Sequence, residues 1–204
     1  MKSITDAIES RISANSFDTN KQLPEKEIRQ LIELATRAPS AFNLQNWKFI
    51  AVHSNEAKQR LLPLAYGQQK VVDASVTFII CGTLNGHLTL ADALKPSLEK
   101  GILEEGIYNA WLGAANSMYA ENDVLQRDEA IRSASLAAMT LMLAAIEMGL
   151  VSGPMIGFDP TGVAKEFNLD KTDVPVMLLP IGYEKGENWP QKPRKNVSDV
   201  LTFV

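Results

Sequence analysis

The 204-residue sequence predicts one domain in which helices enclose a central sheet. Three stretches, Trp47–His53, Val76–Cys81 and Val174–Tyr183, are rich in β-branched and aromatic residues, as strands buried within a sheet are. Glu129 to Leu150 carries the longest helical pattern, and from Ala134 to Ile146 it is apolar or small on every face, so it must be covered on all sides. The composition, 46% hydrophobic and 22% charged, suits a globular domain that buries its own core.

Taken in order, residues 3–13 read as a helix, with Ile4, Ala7, Ile8 and Ile12 near helical spacing. Pro24 opens a second helix across Glu27 to Arg37, which Pro39 ends. Glu56 to Leu62 reads as a short helix stopped by Pro63. Residues 85–127 are polar and irregular in pattern, which predicts short helical turns and mobile, substrate-facing structure. The apolar helix is too short between its charges to cross a bilayer: 14 residues separate Arg132 from Glu147, against the roughly 20 required. Its small residues, Ala134, Ser135, Ala137, Ala138, Ala144 and Ala145, admit a closely packed helix, and enclosing it predicts a dimer core. The segment Pro190 to Arg194 is polar and extended in character.

Several function classes are disfavoured. A formal net charge of -4, with no Lys/Arg cluster, lacks the basic field that nucleic acid demands. No apolar stretch follows Met1 before Asp6, so no signal peptide is read and the cytoplasm is the expected compartment. Cys81 is the single cysteine and lies inside a strand pattern, as a small core hydrophobe does. With only His53 and His87 and no clustered thiols, a zinc site is hard to assemble. Neither a Gly-x-Gly-x-x-Gly nor a P-loop pattern occurs, and no hydrolytic triad is visible. No side chain is assigned as a catalytic acid, base or nucleophile.

Three elements carry binding chemistry. The run Ala38 to Trp47 places Pro39, Ser40, Ala41 and Asn43 in a turn directly before a strand, where scaffolds present functional groups. An ordinary helix-to-strand connection, with Ser40 and Asn43 satisfying turn backbone, reads equally well. Arg11-Ile12-Ser13-Ala14-Asn15 and Lys192-Pro193-Arg194 together offer a fork, a hydroxyl and further cations, which suits a phosphate monoester; solvated surface charge is the alternative. Gly149 to Phe158 follows the long helix. A helix stop explains Gly149, whereas Gly153 and Gly157 around Pro154 leave amides free to face a flat ligand.

In this order and at these separations, the elements resemble the flavin-dependent nitroreductase family from Arg11 to Arg194. That family typically shows Arg-x-Ser-x-[Arg/Lys], then Ala-Pro-Ser-x-x-Asn-x-Gln-Pro-Trp, a polar segment matched by Gly67 to Ser75, a Gly-Leu-x-x-x-Pro-x-x-Gly-Phe element, and a late Lys-x-Arg. Here Asn15 stands for the second basic residue, Asn46 for the proline before Trp47, and Ile156 where some relatives are acidic.

The resemblance implies an α+β fold, a central and mostly antiparallel sheet flanked by helices, in an intertwined homodimer binding FMN at two interface sites. It implies that Arg11, Ile12, Ser13, Asn15, Lys192 and Arg194 surround the phosphate, and that Pro39, Ser40, Ala41 and Asn43 come from the other subunit. Gln68 and Lys70 would face the ribityl chain and the ring's polar edge. Pro154, Met155, Ile156 and Gly157 would lie along the isoalloxazine. The implied activity is ping-pong hydride transfer, with NADPH or NADH as a transient reductant and a nitroaromatic or quinone as acceptor. The alternatives are a non-catalytic flavin-binding or stress-response protein, or a same-fold enzyme acting on an enoate, a halogenated phenol or an azo compound.

Overall fold

The computed structural model describes residues 3–204. Four strands form one antiparallel sheet in the order β1-β2-β4-β3, with β1 at Trp47–Val52, β2 at Val76–Thr83, β3 at Val151–Ser152 and β4 at Asp173–Gly182. β3, a two-residue strand, is shorter than any run that alternation can reveal. The period of two sorts the sheet's faces. Val76, Phe78, Ile80, Leu179 and Ile181 pack into one core, and Ile79, Cys81 and Leu178 into another.

The first core lies under α2 (Glu25–Ala35) and α7 (Asp123–Glu147), the second under α3 (Asn55–Leu64) and α8 (Pro160–Glu166). β1 is half-buried along most of its length, not fully buried as its composition predicts, because it is an edge strand. At its start, Lys48 Nζ donates to Asp170 at 2.8 Å and Asp173 at 2.6 Å, and these bonds hold its ammonium well above the usual lysine range.

Helix boundaries follow local chemistry. Ser3 and Asp6 form a capping box on α1 (Ile4–Ser10), which stops short of residue 13 because Arg11 turns extended. α2 ends at Ala35, ahead of Pro39, consistent with the restriction that a proline places on the preceding residue. Pro63 does not stop α3: it sits in the last turn, and the helix runs on to Leu64. Ser54, Asn122 and Asp159 cap α3, α7 and α8 through their side-chain oxygens.

Two expectations are corrected. Residues 85–127 are not irregular: they form α5 (Gly86–Glu99) and α6 (Glu105–Tyr119), then open α7 at Asp123 rather than Glu129. Their buried residues, Leu90 with Leu94 and Ala115 with Tyr119, keep helical spacing but are diluted by polar neighbours; they form a separate small core with Leu44. Secondly, the small residues of α7 serve this chain's own core. Ala134, Ala138 and Ala145 pack against the sheet and α2, and a Cβ on Gly82 would overlap the backbone of Ala130. Leu136, by contrast, stays 41% exposed on the outer face. By length and hydropathy α7 would suffice to cross a membrane, more than its charge spacing suggests, yet 56% of its most apolar window is buried within the fold.

Candidate functional site

Hydrogen bonds stitch four distant segments into one corner. Ala14 N donates to Ser152 O at 2.9 Å, and a Cβ on Gly153 would overlap the Ala14 carbonyl oxygen, so glycine permits this backbone approach. This is the reason for Gly153 that a helix stop does not supply. Lys70 Nζ, on the short helix α4 (Lys70–Asp73), donates to Asn15 Oδ1 at 3.3 Å. Gln68 Nε2 donates to the Gly157 carbonyl at 2.8 Å and to Ala65 O at 3.1 Å.

The C-terminal segment joins from the other side. Asn188 Oδ1 accepts from the amides of Asn15 at 2.8 Å and Ser16 at 3.0 Å, and Gln191 Nε2 donates to Ile8 O and Arg11 O. These contacts hold the Asn188–Gln191 stretch, which immediately precedes Lys192 in sequence, against the Arg11–Asn15 turn. Neither Asn188 nor Gln191 was readable as a site residue, because each pairing spans more than 170 residues and leaves no local pattern.

These segments carry cations, while Glu184 and Glu187 line the adjoining cavities. Arg11 Nη1 donates to Ile12 O at 2.7 Å, Arg194 Nη1 to Lys192 O at 2.5 Å, and Lys192 Nζ lies 4.9 Å from the centre of the Trp189 ring. Among the described residues, none of Arg11, Lys70, Lys192 or Arg194 forms an ion pair with a carboxylate. Burial alone lowers the Lys70 ammonium below its ordinary value. Ser13, Asn15, Ile156 and Gly157 are exposed, Pro154 is half-buried, and Met155 is buried, its amide pairing with Leu178 at 2.9 Å. Ile156 reaches 81% exposure, so its side chain faces outward beside the Gly157 backbone.

Pro39, Ser40, Ala41 and Asn43 lie apart from this network. No hydrogen bond among the described residues ties them to the Arg11, Gln68 or Pro154 segments. Ser40 Oγ instead accepts from Gln45 N at 2.9 Å, as a turn-closing serine does. Phe42, Asn43 and Gln45 all take positive φ, of 51°, 60° and 49°. For a bulky residue such as Phe42 that conformation is strained, and the surroundings must hold it. Edge-on contacts from Phe42 to Trp111 and Tyr119, on α6, do so. This aromatic clasp has no short-range sequence signal.

A cavity of about 550 Å³ lies away from the corner between α2 and β1, lined by Ile28, Ile32, Ala51 and His53 among others. Cavities of about 430 and 340 Å³ open beside the corner itself, lined by Ile12, Asn15, Asn188 and Trp189. Hydrogen-bond chemistry, not size, singles out the corner. Among the described residues, no group of three or more His, Cys, Asp or Glu side chains is arranged to hold a metal ion.

The chain is similar to known proteins over nearly its full length. YodC of Bacillus subtilis, whose name assigns it provisionally to the NAD(P)H nitroreductases, is 37% identical over 182 residues, covering 89% of this chain and 90% of its own. A nitroreductase-type protein of Exiguobacterium sibiricum, solved in complex with FMN, superposes with a TM-score of 0.92 at 29% identity, over 100% of this chain and 98% of its own. A CLA biosynthesis enone reductase from Lactiplantibacillus plantarum is 30% identical over 184 residues, or 88% of this chain and 84% of its own. The Nitroreductase family profile matches residues 8–183, spanning the sheet, both cores and most of the stitched corner, and on that match the chain belongs to the nitroreductase family.

Proposed function

We propose that this chain is an FMN-dependent NAD(P)H oxidoreductase that reduces nitroaromatics, quinones or similar small acceptors, one open slot serving reductant and acceptor in ping-pong order. The observation that carries this reading is the meeting of the Arg11–Asn15 turn with three distant segments: Gln191 donates to Arg11 O, Lys70 to Asn15 Oδ1, and Ala14 N to Ser152 O beside the Pro154–Gly157 backbone. Such a donor set fits a phosphomonoester at one end and a flat, hydrogen-bonding ring at the other. FMN, when bound, supplies the hydride chemistry. Arg11, Ile12, Ser13, Asn15, Lys192 and Arg194 hold the phosphate end. Gln68 and Lys70 orient the middle, and Lys70 brings positive charge to the ring's polar edge. Pro154, Met155, Ile156 and Gly157 form the floor, and the exposed Ile156 side chain helps to exclude water from the slot.

Residues 1–204 act as one domain, and the working unit is a homodimer in which Pro39, Ser40, Ala41 and Asn43 of one copy complete the site of the other. Two surfaces support it. Among the described residues β1 pairs only with β2, and its neighbouring groove is lined by Ile28, Ile32 and Ala51 together with Glu25, Arg29 and Glu33. Within one chain, Val197, Val200, Leu201 and Phe203 lie exposed, at 69%, 70%, 47% and 89%. The exposed apolar C-terminal residues, which open with a helical turn at Val197–Asp199, and the groove beside the open sheet edge are complementary, and exchanging them between two copies covers both.

The acceptor reading has one specific rival: similarity to the enone reductase favours an α,β-unsaturated carbonyl in the same slot. Purified protein is expected to be yellow, to release FMN on denaturation, and to lose its colour when NADH or NADPH is added without oxygen. Persistent colour with both would identify a flavin-binding protein, and colourless protein that takes up no FMN would overturn the reading. Comparing kcat/KM for a nitroaromatic, a quinone and an enone then separates the acceptors.

A further inference from the structure

Two buried polar atoms face one small cavity where the turn before β1 meets α5 and α7. Asn46 is 5% exposed; its Nδ2 donates to Thr83 O at 3.3 Å, while its Oδ1 has no partner among the described residues. His87, in the first turn of α5, has a buried Nδ1 that likewise has none among them. Both residues line a cavity of about 10 Å³, together with Tyr119, Gln126 and Glu129.

The other lining side chains are already committed. Gln126 donates to Tyr119 O at 2.8 Å and accepts from Asn85 N at 3.0 Å. Glu129, 4% exposed, accepts from Tyr119 and Ser133 at 3.3 Å each and pairs with Arg132. Neither side chain has turned to serve Asn46 or His87. Buried polar atoms are paired with protein or ordered water in nearly every native fold, and about 10–15 Å³ in a polar site is what one water needs.

We propose that this cavity binds a single ordered water bridging Asn46 Oδ1 and His87 Nδ1. The bridge ties the turn that precedes Trp47 to the start of α5, next to the Phe42–Trp111–Tyr119 clasp. It therefore helps to fix the segment Pro39–Asn43 on α5 and α6. The bridge requires a side-chain oxygen at position 46, which Asn46 supplies.

A high-resolution crystal structure tests this directly. The expected result is one solvent peak within about 3.2 Å of both atoms. A direct Asn46–His87 hydrogen bond, or a cavity without density, overturns it. In solution, the Asn46 side-chain amide protons should show a nuclear Overhauser effect to a long-lived water, absent in His87→Phe, whose ring fills the space. No such effect in the unmodified protein, or one that persists in the variant, also overturns the bridge.

Discussion

Gln68 Nε2 donates to the Gly157 carbonyl across a sequence separation of 89 residues, at 2.8 Å, and so joins the segment before α4 to the glycine that follows Pro154. If the flavin lies against both, Gln68→Leu removes a neutral hydrogen bond that orders its floor. The expected loss is about 1 kcal/mol, roughly fivefold in FMN dissociation constant. Fluorescence titration of apoprotein reads it, and an unchanged constant would detach Gln68 from the site.

Gly153 meets the Ala14 carbonyl with backbone on both sides, so neither partner has a flexible side chain to move. Gly153→Ala should cost about 2 kcal/mol and lower Tm by about 4–8 °C, with weaker FMN retention because the Arg11–Asn15 turn is displaced. A variant with unaltered Tm would show that the two backbones separate freely.

The exchanged-arm reading predicts that the double variant Leu201→Asp, Phe203→Asp is monomeric and loses its flavin while keeping its helical circular dichroism. The new carboxylates would have to enter the groove beside Ile28 and Ile32, whose lining already carries Glu25 and Glu33 and whose Arg29 is paired with Glu25. Light scattering coupled to size exclusion gives the mass; a dimer from this variant rejects the arm. Ala138 is a poor site for that test, since it is fully buried in its own chain and an acid there would unfold the protomer.

Burial pushes the Cys81 thiol up to about 12. Only the thiolate is nucleophilic, so at pH 8 the reactive fraction is on the order of one in ten thousand. Thiol reagents should label Cys81 in denaturant but not in the native protein over the same interval. Prompt native labelling would mean that β2 opens to solvent.

Lys48 is held charged by Asp170 and Asp173, and the Asp173 side chain is only 3% exposed. A raised lysine pKa contributes stability that is fully present below the unfolded value of about 10.4 and is lost as pH climbs through the higher folded value. Lys48→Met should therefore lower Tm by a constant margin from pH 7 to 10, the gap closing only in stronger alkali. Because the Lys48 side chain is 38% exposed, solvent screening keeps that margin modest. A gap that closes near neutrality would contradict the assignment.

Much of this protein was present in its local patterns. β-branched runs mark β1, β2 and β4, and alternation along them assigns each side chain to a face, because a strand's geometry repeats every two residues. The Arg11 and Gly153 motifs are legible as local patterns, and the structure brings them together through the approach of Gly153 to the Ala14 carbonyl. What chain order cannot express is which distant segments meet. The two-residue β3, the pairing of Asn188 with Asn15, the strain held at Phe42 by Trp111, and the cavity between Asn46 and His87 all arise from long-range packing. The apolar face of α7 shows the difference: its sequence demands cover, but only the tertiary fold decides that the sheet and α2 of the same chain provide most of it, leaving Leu136 outside. Hydrophobic burial is non-directional, so a sequence specifies how much surface must be hidden, and the packed structure selects what hides it.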